Sequence, residues 1–92
     1  MKFYVYIVCC VDGSLYTGYT NNLDSRVLKH NKGKGAKYTR GRRPVTLVYH
    51  EVHETKSIAM KREYQIKKLS HFEKMFLISE KNEEQRVGLN IG

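Results

Sequence analysis

Asp12-Gly13 stands between two runs of β-branched and aromatic residues within the stretch 4–20, and this leaves few alternatives to an antiparallel hairpin there. A tight turn needs positive φ, which Asp-Gly tolerates, and the flanking residues favour extended backbone. Tyr4 and Tyr6 are two apart and share a face of the first strand, while Tyr16 and Tyr19 lie around Gly18 on the second. Two readings of these tyrosines stand. They fill a small core, or they gather phenol hydroxyls at one edge of a sheet.

Ninety-two residues suit one domain with a small core. Seventeen Lys and Arg against nine Asp and Glu give a formal charge of +8, so nucleic acid is the first partner to expect. No apolar run is long enough to span a bilayer and no secretory signal is visible, which predicts a cytoplasmic protein without membrane contact. Cys9 and Cys10 are adjacent on a strand, leave on opposite faces and read as buried small hydrophobes. With His30, His50, His53 and His71 they complete no zinc-ligand spacing.

Beyond the hairpin, Thr20-Asn21-Asn22 offers N-caps, and Leu23, Val27 and Leu28 form a helical stripe ending at Gly33. Arg26 and His30 fall at the edge of that stripe. Structurally, Arg26 would lay its stem on the core and His30 would pack with one hydrogen bond. Residues 32–44 then carry six basic residues, three glycines and no acid. Such a stretch does not hold regular structure for long, and Lys34, Lys37, Tyr38, Arg40, Arg42 and Arg43 suit contact with phosphates and a base or sugar. The bland alternative is a solvated loop.

Residues 45–52 alternate as a third strand, with Val45, Leu47 and Tyr49 expected on one face. Thr55 or Ser57 opens a helix whose stripe Ala59, Glu63, Ile66 is interrupted by a carboxylate. A surface pair of Glu63 with Lys67 would account for that at a few tenths of a kcal/mol, roughly. Ser70-His71-Phe72-Glu73 matches a capping box, predicting a last helix from Ser70 to about Lys81. A single domain over 1–82 and a polar, flexible tail over 83–92 complete this reading.

Tyr4-Val5-Tyr6, Tyr16-Thr17-Gly18 ten residues on, Arg26 ten after Tyr16, His30 a turn later, and Glu63 in a later helix together form a pattern. It resembles the GIY-YIG endonuclease superfamily, in particular small stand-alone bacterial members related to the N-terminal nuclease domain of UvrC. The resemblance covers roughly residues 3–80. It departs from the motif at Tyr4 for glycine, at Thr17 for isoleucine, and at Tyr19 where UvrC-type sequences carry lysine.

The resemblance implies an α/β (α+β) domain: a small three-stranded antiparallel sheet flanked by about three helices. It also implies a DNA endonuclease of low sequence specificity, in DNA repair or processing, with single-stranded or branched DNA among its candidate substrates. One divalent cation, Mg²⁺ or Mn²⁺, would be held by Glu63 with waters and phosphate, and no small-molecule cofactor is expected. In-line displacement at phosphorus needs an activated water and stabilised equatorial oxygens. Tyr6 is the expected base, with Tyr16 able to exchange roles, and Arg26 the fork for a non-bridging oxygen. His30 is a proton relay or a phosphate donor. The alternative, from a different functional class, is a non-catalytic nucleic-acid-binding module using the basic loop 32–43; either could work through a partner protein.

Overall fold

The computed structural model describes the backbone of residues 1–91 and the side chains of residues 1–83. In chain order the elements are β1 (Phe3–Cys9), β2 (Leu15–Thr20), α1 (Leu23–Asn31), α2 (Lys37–Arg40), β3 (Thr46–His53), α3 (Lys56–Lys67) and α4 (His71–Ile91). The three strands form the expected antiparallel sheet in the order β2-β1-β3. Among the described residues four helices flank it, the addition being α2, a single turn within the basic stretch.

β1 is central and covered on both faces, which is why Val5, Tyr6, Ile7 and Val8 are all fully buried and the strand reads as an unbroken apolar run. Alternation splits its side chains between two cores. Val5 and Ile7 pack with Leu15, Ala59, Ile66 and Ile78 beneath α3 and α4. Tyr6 and Val8 pack with Cys10 and Val45, against Tyr16, Leu23, Val27 and Leu47, beneath α1. The hairpin thus carries Tyr6 and Tyr16 on one face, with Tyr19 on the other.

On β3 the expected common face of Val45, Leu47 and Tyr49 does not occur. The ladder steps from Ile7↔Tyr49 to Val8↔Leu47, a β-bulge that leaves Val48 without a partner on β1. One extra residue inverts the alternation beyond it. Val45 and Leu47 therefore join the α1 side, and Val48 and Tyr49 the α3 side. There the Tyr49 hydroxyl donates to Glu51, which also accepts from Arg62 Nε at 2.7 Å and lies 2.8 Å from His53 Nε2. Burial pushes the Glu51 carboxyl up, but the bonds from Arg62, Tyr49 and His53 outweigh it and hold the group below its ordinary range. Tyr49 is pushed up to about 12 by burial and by its bond to Glu51. This clasp fastens β3 to α3 one residue before Glu63.

The caps follow the sequence closely. Asn22 Oδ1 accepts from Ser25 N (3.1 Å) to start α1, and Thr55 Oγ1 accepts from Ile58 N (3.2 Å) to start α3. Ser70 and Glu73 exchange the reciprocal bonds of a capping box, 2.9 and 3.1 Å, ahead of α4. α4 continues to Ile91, past the end expected near Lys81. The tail expected over 83–92 falls on residues whose side chains, from 84 onward, lie outside the described part.

The basic stretch is tied down. The Asn31 amide pairs with the Val45 backbone in both directions, Nδ2 to O at 3.1 Å and N to Oδ1 at 2.7 Å, closing the loop across residues 32–44. Val11 N donates to Arg42 O (3.0 Å), and Arg42 Nε reaches Asp12 Oδ2 (3.1 Å), docking the loop on the hairpin turn. Cys10 is buried as expected, Cys9 is half-buried, and both are free thiols. No described helix is long and apolar enough to cross a membrane.

Candidate active site

Tyr6 is wholly buried, yet its hydroxyl is the meeting point of two elements. Its neighbour across the ladder is Gly18, and a Cβ there would lie 2.5 Å from Tyr6 Oη. Only a glycine lets the phenol lie across β2. From α1, His30 Nε2 stands 2.8 Å from Tyr6 Oη, and Arg26 Nε donates to the same oxygen at 3.3 Å. The one-turn spacing of Arg26 and His30 is what aims both at one atom.

His30 is fully buried, and its other nitrogen, Nδ1, lies 2.8 Å from Thr39 Oγ1. The Thr39 hydroxyl donates its single hydrogen to Ala36 O at 3.1 Å, so it accepts a hydrogen bond from His30 Nδ1–H. In the neutral ring Nε2 is then the acceptor, and Tyr6 O–H donates to it. Burial, and then the Arg26 charge, hold the His30 pKa below its ordinary value, in keeping with a neutral imidazole. The result is a directed chain from Tyr6 through His30 and Thr39 to the α2 N-cap residue, Ala36. Gly35 allows it, since a Cβ there would lie 2.4 Å from His30 Nδ1.

Burial raises the Tyr6 pKa above the usual phenol value, against the hydrogen bond and charge of Arg26, while the Tyr16 and Glu63 charges add to the rise. Arg26 is anchored on its far side, Nη2 donating to Gly35 O at 2.9 Å. Tyr16 meets the His30 ring edge-on, 5.4 Å between centroids, and stacks on Tyr38 at 5.9 Å. Arg42 covers the Tyr38 ring at 4.2 Å and donates to Tyr38 O at 2.8 Å. Glu63 approaches from α3, 3.8 Å from Lys67, whose ammonium lies 5.8 Å from the Tyr16 ring centroid. No group of three or more His, Cys, Asp or Glu side chains able to hold a metal occurs among the described residues.

The model of the GIY-YIG catalytic domain matches residues 2–75. The chain belongs to the GIY-YIG family. It is 61% identical over 79 residues to a UPF0213 protein of Staphylococcus saprophyticus, covering 86% of this chain and 96% of that one. A UPF0213 protein of Staphylococcus haemolyticus is 59% identical over 80 residues, covering 87% and 98%. The solution NMR structure of a UPF0213 protein from Bacillus halodurans is similar at a TM-score of 0.56 and 53% identity, over 86% of this chain and 84% of that one. That of a protein from E. faecalis is similar at 0.62 and 42%, over 89% and 88%.

In this GIY-YIG domain, Tyr6, Arg26 and His30 are directly bonded, Tyr16 walls the histidine, and Glu63 lies close enough for its charge to bear on Tyr6. The six loop residues divide. Lys34, Lys37 and Arg40 are exposed, and Tyr38 stacks at the site. Arg42 and Arg43 carry internal bonds, Arg43 Nε to Arg40 O at 2.8 Å, so they shape the loop as well as charge it. Sequence reading missed Thr39 and Gly35. A lone hydroxyl in a lysine-rich loop gives no signal, because only the loop's return over α1 brings it to His30. Gly18→Ala should displace the Tyr6 hydroxyl from His30 and lower the cleavage rate by about a hundredfold. Single-turnover kinetics beside a thermal melt would check it, and an unchanged rate in a folded variant would contradict the tight fit.

Proposed function

We propose that this GIY-YIG domain is a divalent-metal-dependent DNA endonuclease in which Tyr6 and His30 act together as the base. The observation that carries the reading is the directed chain of hydrogen bonds from Tyr6 Oη to His30 Nε2 and from His30 Nδ1 to Thr39, with Arg26 on the same phenol oxygen. The phenol donates to a neutral imidazole that can take its proton and accepts from a guanidinium that stabilises negative charge on its oxygen.

Burial leaves little phenolate at Tyr6 near neutral pH, so a pre-formed phenolate base is a poor account. Proton transfer in relay avoids it. An attacking water gives its proton to Tyr6 Oη as Tyr6 passes its own to His30 Nε2, and the new imidazolium keeps its Nδ1–H bond to Thr39. The oxygen–phosphorus bond forms as the bond to the leaving 3′ oxygen breaks, and solvent protonates that oxygen. Arg26 turns its remaining N–H groups to a non-bridging oxygen. Tyr16 orients the water or phosphate.

Glu63 fits as the single protein ligand of Mg²⁺ or Mn²⁺, a hard ion that accepts one carboxylate together with waters and phosphate oxygens. Its partner is one partly exposed lysine, and its charge bears on Tyr6. Such an ion, when bound, neutralises phosphate charge and lowers the pKa of water. Lys34, Lys37, Tyr38 and Arg40, with Arg42 and Arg43, would hold the substrate through its backbone. That supports low sequence specificity.

The test is incubation of supercoiled, linear, single-stranded and branched DNA with the purified protein in Mg²⁺, Mn²⁺ or EDTA. Metal-dependent cutting supports the reading and shows the preferred form; binding without cutting in every lane would replace it with a non-catalytic module. The pH profile tests the relay. His30 must be neutral to accept, and its folded pKa lies below 6.5, so log kcat/KM should stay level down to about pH 6.5 and fall only below it. Arg26→Gln removes the second cause of that depression and should move the limb upward. A limb centred above pH 6.5 in the wild type would count against His30 as acceptor.

A further inference from the structure

A second cationic feature lies along α1, where it faces β2 and α3. A cleft of about 450 Å³ opens between the ends of β2, α1 and α3, and Arg26, Lys29 and Lys56 line it without any acid among its described lining residues. Asn21 and Ser25 add polar groups to the same wall. Three cations elsewhere on the molecule are compensated: Arg42 faces Asp12, Arg62 faces Glu51 and Lys67 faces Glu63. Lys29 and Lys56 are exposed and have no carboxylate partner among the described residues. Two uncompensated ammonium groups and a guanidinium facing one cavity create a local positive field that a phosphate would neutralise.

The cleft is continuous with the site in two ways. Arg26 belongs to both, touching Tyr6 Oη while lining the cleft. Lys56 and Glu63 are seven residues apart on α3, two turns on the same face, so their backbone positions are separated by about 10 Å along the helix. The cleft therefore begins a nucleotide or so from the reacting position. The basic loop follows the C-terminal end of α1 and adjoins the cleft, with Lys34 N donating to Lys29 O at 2.9 Å and Arg26 Nη2 to Gly35 O at 2.9 Å.

We propose that this cleft binds a phosphodiester of the substrate strand flanking the one that is cleaved, with Lys29 and Lys56 as its positioning cations. The strand then contacts the basic loop, the Tyr6, Arg26 and Glu63 site, and the cleft. The proposal rests on the nuclease reading for the word substrate, but the cleft's affinity for a DNA phosphate is measurable without turnover. Phosphate contacts fix register and not sequence, so the cleft sets where the strand sits over Tyr6.

The experiment is the double variant Lys29→Ala/Lys56→Ala, both changes at exposed positions, with Lys29→Arg/Lys56→Arg as the charge-retaining control. On cleaved DNA the alanine variant should raise KM about tenfold while kcat stays close to wild type, and the slope of log KM against log salt should become shallower by about two. The arginine variant should keep the wild-type slope. Equal KM and equal slope in wild type and alanine variant would overturn the proposal. In EDTA, fluorescence anisotropy with the same oligonucleotide should show the same loss of slope, so a wild type that binds but never cuts defeats the nuclease reading and still decides the cleft. Neutral methylphosphonates placed one at a time along the strand identify the phosphate. One position beyond the scissile bond should weaken wild-type binding and leave the alanine variant indifferent. Equal sensitivity of both proteins at every position would remove the site.

Discussion

Tyr6→Phe should lower the single-turnover cleavage rate by about 10²–10⁴-fold, the range for loss of a general base, while DNA affinity in low salt stays near wild type. The substitution removes one oxygen from a fully buried site and leaves His30 Nε2 without its 2.8 Å partner. An unsatisfied buried acceptor costs about 1–3 kcal/mol, so the melting temperature should fall as well, and rates must be measured well below it. His30→Gln supplies the second side of a cycle. If Tyr6 and His30 pass one proton, the double variant should be hardly slower than either single variant. Multiplicative losses would mean two separate roles and would overturn the relay.

Glu63→Ala should abolish metal-dependent cleavage and leave binding intact in low salt. The internal loss is slight, because the 3.8 Å pair with Lys67 is an i, i+4 contact worth roughly 0.3–0.5 kcal/mol. Removing a negative charge beside the strand should, if anything, tighten binding. Cleavage rates over a titration of Mg²⁺ or Mn²⁺, with equilibrium binding measured in EDTA, separate the two effects. Full activity in the variant would take Glu63 out of the site and with it the metal assignment.

The candidate residues that the sequence singles out share a property: their chemistry is tied to short-range geometry. Tyr6 and Tyr16 are brought together by a hairpin whose turn is written in Asp12-Gly13, and Arg26 and His30 by one turn of a helix whose cap is Asn22. Glu63 stood out because a carboxylate interrupts an apolar helical stripe. The residues that were missed depend on closures between distant parts of the chain. Thr39 reaches His30 only because the Asn31 amide seals the loop against Val45, and the loop itself docks on the hairpin turn through Arg42 and Asp12. Lys29 and Lys56, on different helices, share a cleft that no spacing announces.

Tyr49 shows the same limit within a strand. Alternation put it beside Leu47, and a one-residue bulge turned it to the opposite core, where Glu51 and Arg62 take its hydroxyl. By itself the order of amino acids determined the hairpin, the helix starts, the positive charge and the residue types available for phosphate chemistry, because propensity, capping and periodicity act over a few residues. Only the tertiary structure decided the bulge, the direction of the Tyr6–His30–Thr39 hydrogen bonds, the raised phenol and lowered imidazole pKa values, and the pairing or isolation of each cation. Those depend on burial and on contacts between segments that packing alone brings together.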